Sequence, residues 1–151
     1  MSSFKIFDVA GSGLSAESVR LNTVASNLAN ADSVSGDPST VYRARHPVFE
    51  AVRAAVARGL GSTSSGFGAS TDSASGAAVR VSGIVESTEP PQVRHDPGNP
   101  LADIEGNVYA PNVNVIEEMT DMISASRAYQ NDVEVMNTSK DLMLATLKLG
   151  E

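Results

Sequence analysis

Residues 113–149 contain neither proline nor glycine, so nothing in that stretch interrupts a helix. Apolar side chains return on a heptad beat at Val115, Met122, Tyr129, Met136 and Met143. A second row holds Met119, Val133 and Leu147, with Ser126 and Lys140 as polar entries. Two such rows make one narrow seam on a helix, the pattern of a coiled coil. At ~1.5 Å per residue the helix is roughly 50 Å long. One narrow stripe cannot bury itself, so the helix needs a partner.

The other end of the chain offers that partner. From about residue 3 to 31, Phe7, Leu14, Leu21 and Leu28 keep a strict heptad, and Ala10, Val24 and Ala31 form its companion row, interrupted by Glu17. Two single-seam helices at opposite ends of one chain are expected to pair lengthwise. Gly11 and Gly13 fall inside the first pattern and either kink the helix or admit a neighbouring backbone. The run NADSVSG at 30–36 and the pair Asp37–Pro38 stop it.

The middle of the chain is different in kind. Residues 41–49 alternate weakly around Pro47 and suit an edge strand. Residues 50–58 read as a short helix or as a strand leading into a loop. Residues 59–76 are nearly all Gly, Ser, Thr and Ala, the composition of a flexible loop. Residues 77–85 alternate as a strand, Pro90 and Pro91 turn the chain, and residues 92–95 are expected to return antiparallel to it. Residues 96–114 are so dense in Pro, Gly and Asn that no regular element is expected there, only an ordered, wrapped loop. Asn112 or Asn114 caps the last helix, with Glu117 and Glu118 in its first turn and Lys148 near its end, all favourable to the macrodipole.

The expected fold is mainly α with a small β insert. Residues 1–36 supply the N-terminal helix of a coiled-coil domain, 37–112 the β-rich, loop-rich insert, and 113–151 the C-terminal helix. The seam residues are Phe7, Leu14, Leu21, Val24, Leu28, Met119, Met122, Tyr129, Val133, Met136, Met143 and Leu147. The methionines admit two readings, seam filler and adaptable binding face, and both hold if the seam also meets neighbouring copies.

Charge and chemistry narrow the function. At 151 residues the chain fits one domain. The net charge of -7, with only 19% charged residues, argues against nucleic acid, which needs clustered Lys and Arg. There is no cysteine, hence no disulfide and no thiolate metal site. No apolar run reaches the ~20 residues that span a membrane, and the first residues lack the apolar core of a cleavable signal. His46 and His95 are the only histidines, and His95–Asp96 is merely an adjacent pair. Asp96, Asp103 and Glu105 do not follow EF-hand spacing and read as solvated turn carboxylates. There is no G-x-S-x-G elbow, Gly11-Ser12-Gly13 lacks a phosphate-loop lysine, and the sequon at Asn137 falls mid-helix. Neither a catalytic centre nor a cofactor or metal site is expected.

Three stretches together resemble the flagellar axial proteins that build the rod and hook, most closely those of the proximal rod. The first is LNTVASNLAN at 21–30, ending in Asn27 and Asn30. The second is YRARHPVFE at 42–50, with Tyr42, Arg43 and Pro47. The third runs from Asp96 through Pro97, Gly98, Pro100, Gly106, Pro111 and Asn112 to the helical segment holding Arg127. The segment 31–42 lacks the Thr-x-Gly-Tyr form of several other rod and hook proteins, which suits the proximal rod. The resemblance implies a structural, non-enzymatic subunit. It implies passage through the flagellar type III export apparatus without cleavage, and assembly in the periplasmic basal body with copies of itself and other rod proteins. It further implies terminal helices lining a central channel, with Asn27 and Asn30 ordering the first helix end and Arg127 contacting a neighbour. The alternatives are a cytosolic coiled-coil adaptor or export chaperone, and a hydrolase or metalloenzyme using His95, Asp96 and Glu105.

Overall fold

The structure, a computed structural model, describes residues 3–52 and 78–148. Two long helices bracket two small sheets: α1 Ser3–Asn30, β1 Arg45–Val52, β2 Ala78–Glu86, β3 Gln92–His95, β4 Asn107–Ala110 and α2 Val115–Lys148. The expected short helix or strand at 50–58 is strand through Val52, and the rest lies outside the described residues, as does the Gly/Ser-rich segment 59–76.

Each helix ends where its local chemistry changes. Asn30 closes α1: its carbonyl accepts from Ser33 N–H (3.0 Å) and Ser33 Oγ (2.7 Å), while its side chain donates back to Ser26 O. Asn114 opens α2, accepting from Ile116 N–H at 3.1 Å, which satisfies one of the free donors of the first turn.

The helices run antiparallel, since Asn27 meets Glu118, Arg20 meets Asp121 and Gly13 meets Asp132. Their contact line follows the expected seam only at Ala10 and Val24 of the α1 companion row. The buried residues are Ala10, Ala16, Thr23, Val24 and Asn27 on α1, and Glu118, Ala125 and Ser139 on α2. Met119, Tyr129, Val133 and Leu147 are instead exposed, and Phe7, Leu14, Leu21, Leu28, Met122, Met136 and Met143 are half-buried. At 3.6 residues per turn the observed line on α2 is rotated by about 70° from the heptad rows, while on α1 Ala10 and Val24 of the companion row stay buried. The physical reason is size. Small side chains let the backbones approach closely, and at Gly13 a Cβ would stand 2.5 Å from Asp132 Oδ2, so that carboxylate would have to swing aside.

β1 and β2 form an antiparallel pair from Arg45↔Glu86 to Val52↔Ala78, with a bulge after Val48. Pro47 is tolerated because a two-stranded sheet has only edges. The hairpin lies on α1, where Val79 N–H donates to Ser12 Oγ at 3.0 Å. β3 does not return along β2 as expected; it pairs with β4, from Gln92↔Ala110 to His95↔Asn107. β4 is also a strand inside the stretch for which no regular element was expected. The turn formers before it make the return rather than a break. Gly106 takes φ 79°, and Asp103 Oδ1 accepts from Glu105 N–H and Asn107 N–H. The segment after α1 is tied to this sheet by the bridge Ser35↔Tyr109.

Candidate assembly interface

An asparagine side chain has two donors and two acceptor lone pairs, and Asn27 uses all four. It is fully buried. Nδ2 donates to Arg45 O and to Glu118 Oε1, each at 2.9 Å. Oδ1 accepts from Arg45 N–H and from Tyr42 OH, each at 2.9 Å. One side chain therefore fastens the end of α1, the strand entering the hairpin and the start of α2. The Arg45 guanidinium lies 5.7 Å above the Tyr42 ring and pairs with Glu86 across the hairpin.

Glu118 is the charged member of this node. Burial pushes its carboxyl above the usual carboxylate range, against the bond from Asn27 and the nearby His46, and with the help of Asp121 and Glu117. Asp37, by contrast, is held below its ordinary value by the Ser39 hydroxyl and Ser39 N–H. Burial and the Asp103 carboxylate raise the Tyr109 phenol.

The second fixed unit is the wrapped loop 96–106. Asp96 N–H donates to Gly106 O, Asn99 N–H to Asp96 O, and Leu101 N–H to Asn99 Oδ1. Gly36 packs so tightly here that a Cβ would run into the Leu101 carbonyl oxygen. Pro111 is buried, and Asn112 joins Gln92 (3.0 Å) to Glu89 (2.6 Å). Of the motif residues, Asn27, Tyr42 and Pro111 are built into these units, and Asn30, Pro47, Gly106 and Asn112 are half-buried. Arg43, Asp96, Pro97, Gly98, Pro100 and Arg127 are exposed. His95, Asp96 and Glu105 do not converge: His95 Nδ1 meets Asn107 Oδ1, and among the described residues no group of acids and histidines could hold a metal.

Large apolar side chains also remain bare on α2. Ile116 (77% exposed), Met119 and Ile123 fall at i, i+3 and i+7 on one face of α2, and Val133, Leu144 and Leu147 are exposed further along it. Beyond Ser139, α2 carries only one side chain that is not exposed, Met143. Sequence reasoning missed Glu118 as the partner of Asn27, and it missed the small-residue contact line. The signal for that line is the heptad Glu118, Ala125, Asp132 and Ser139, which contains no large apolar residue.

Comparison with known proteins agrees with this geometry. Residues 7–36 match the family model described as flagella basal body rod protein, and residues 104–149 match flagellar basal body rod FlgEFG protein C-terminal. Over the full length of both chains, the chain is 49% identical to the flagellar basal-body rod protein FlgC of Yersinia enterocolitica and 47% identical to that of Escherichia coli O157:H7. It is 33% identical to the FlgC of Bacillus subtilis (strain 168), again over all of both chains. The chain belongs to the FlgC family of flagellar basal-body rod proteins, a structural family and not an enzymatic one.

Proposed function

We propose that this chain is a structural subunit of the proximal rod of the bacterial flagellum, transmitting torque and lining the export channel. The observation that carries this reading is the placement of large apolar side chains on the outside of α2, while small and polar ones fill its contact with α1. An apolar ridge of this extent marks a surface to be covered by protein. Neighbouring subunits, both copies of this chain and other rod proteins, cover it. In the assembled rod Met119, Tyr129, Val133 and Leu147, together with the half-buried Leu21 and Leu28, complete coiled-coil seams between subunits. Exposed Arg127 faces a neighbour. The subunit reaches the periplasm through the flagellar type III export apparatus without cleavage. Among the described residues no helix is long and apolar enough to cross a membrane.

The test replaces Ile116 and Ile123 with Asp. Both are exposed, at 77% and 56%, so the lone chain keeps its stability to within about 0.5 kcal/mol. The variant is nevertheless lost from purified basal bodies, and cells stop swimming. Normal incorporation of the double variant refutes the reading. Recovery of the native chain only from the cytosol would support an adaptor or chaperone instead.

A further inference from the structure

The β1–β2 hairpin is fastened unequally at its two ends. At the near end Asn27 holds both the N–H and the carbonyl of Arg45, Ser87 N–H donates to Ala44 O at 2.7 Å, and Arg45 pairs with Glu86. At the far end residues 49–52 face residues 78–81. Among the described residues a single hydrogen bond ties this far half to a helix, from Val79 N–H to Ser12 Oγ at 3.0 Å. The Ser12 hydroxyl itself donates to Val9 O at 2.7 Å, so α1 aims it. No residue of either strand is buried. Phe49 and Val79 line a groove of about 610 Å³ together with Ile6 and Val9 of α1. They are 41% and 37% exposed, so they stand over the helix without being packed onto it. Two strands without a buried face are held weakly.

Between the two halves the ladder is interrupted. Val48 pairs with Gly83 and Phe49 with Val81, which leaves Ser82 without a partner in the register. An extra residue of this kind bends a strand and disrupts the ladder locally. Gly83 adds freedom at the same place. A Cβ on it would meet nothing within 4 Å, so packing does not require the glycine. Across the break Ser82 Oγ donates to Val48 O at 3.2 Å.

We propose that the far half of the hairpin is a hinged flap, turning at Ser82 and Gly83 and held on α1 by the Ser12 latch. The near half stays fixed to the Asn27 node. Release carries Phe49 and Val79 away from α1 and leaves the helix pair undisturbed, so the subunit changes its apolar surface at one place only. The device belongs to the lone subunit and holds whether or not the rod reading does.

The absence of cysteine permits site-specific spin labels on the full-length chain. One nitroxide pair is placed at Arg80→Cys on the flap and Glu134→Cys on α2, and distances are read by pulsed electron spin resonance. The flap is ~13 Å long at ~3.3 Å per residue, so its turning shifts the label by several ångströms. Two distances are expected. Ser12→Ala removes one neutral hydrogen bond and raises the share of the second distance relative to the first about 2- to 10-fold. Gly83→Ala stiffens the pivot and lowers it about 2- to 5-fold. Control pairs at Val85→Cys with Glu134→Cys, on the near half, and at Ser15→Cys with Glu134→Cys, between the helices, keep one unchanged distance. One distance that neither substitution alters overturns the flap. A shift of the Val85 pair, or equal directions for Ser12→Ala and Gly83→Ala, overturns the bulge as pivot. A shift of the Ser15 pair means that the whole subunit loosens, and it overturns the flap as a separate unit.

Discussion

Removing the Asn27 side chain is the sharpest perturbation of the subunit's own fold. Asn27→Ala abolishes three hydrogen bonds to neutral groups, at Tyr42 OH, Arg45 N–H and Arg45 O, and one to the Glu118 carboxylate. At about 0.5–1.5 kcal/mol for each neutral bond and 1.5–3 for the charged one, the total is roughly 3–7 kcal/mol. Tyr42 and Arg45 are not fully buried and regain water in the variant, so the lower part of that range, about 3–4 kcal/mol, is expected. Domains of this size are stable by only about 5–15 kcal/mol, so the variant loses a large share. Urea unfolding of the native and variant chains, followed by far-ultraviolet circular dichroism, measures it. Asn27→Asp provides the control for shape. It keeps the acceptor but replaces the donor with a carboxylate facing Glu118, and two like charges at hydrogen-bond distance cannot both stay ionised. Its loss is therefore large at neutral pH and shrinks on acidification, when one carboxyl takes a proton and donates to the other. A loss below about 1 kcal/mol for Asn27→Ala, or a loss in Asn27→Asp that does not shrink as pH falls, refutes the reasoning.

Glu118→Gln tests the same node from the other side. Because burial raises the Glu118 carboxyl in the folded state, its stabilising contribution is full below the unfolded carboxylate value and is lost as pH rises through the higher folded value. Glutamine keeps an acceptor for Asn27 and carries no charge, so the variant is expected to be the more stable at neutral pH, with the gap closing in acid. Urea midpoints compared across pH check this, and a gap that widens in acid contradicts it. The glycines separate propensity from packing. A Cβ at Gly11 meets nothing within 4 Å, so Gly11→Ala gains up to about 1 kcal/mol and raises the melting temperature by about 2–4 °C. Gly36→Ala drives a methyl into the Leu101 carbonyl and costs about 1–3 kcal/mol. Equal melting temperatures for the two variants contradict the assignment.

Local chemistry was legible in the sequence, and distant partners were not. The stop at Asn30 and a cap at Asn112 or Asn114 follow from residue types a few positions apart; the stop stands in the structure, and Asn114 is the cap. The strand expected at 77–85 follows from alternation and is found at Ala78–Glu86. The pairing of β3 with β4 was hidden because β4 lies in a run that composition marks as turn. The loop returns on itself only through the Asp103 side chain and the positive φ of Gly106. The node at Asn27 joins residues 91 positions apart, a separation at which no periodicity speaks. The helix faces were placed only in part, at Ala10 and Val24, for a different reason. A heptad of large apolar residues identifies a surface that must be covered, but not the molecule that covers it.

That distinction bears on how a rod subunit avoids spending its interface on itself. Had Leu21, Leu28, Met122 and Met136 closed into one intramolecular seam, the lone chain would be more stable and would offer little for a neighbour to bury. The observed contact uses mainly alanine, glycine, serine, threonine and a fully satisfied asparagine bonded to Glu118, with Val24 its one buried branched apolar side chain, groups that orient two helices while consuming little apolar area. Each outer side chain such as Ile116, Met119 or Ile123 then remains available, at about 1.5–3 kcal/mol when fully buried. Under the proposed assembly that free energy is released only between subunits. The polar node at Asn27 sets the geometry, and the apolar ridge supplies the driving force, so the two are separable: ridge variants should spare the lone fold, and node variants should weaken it.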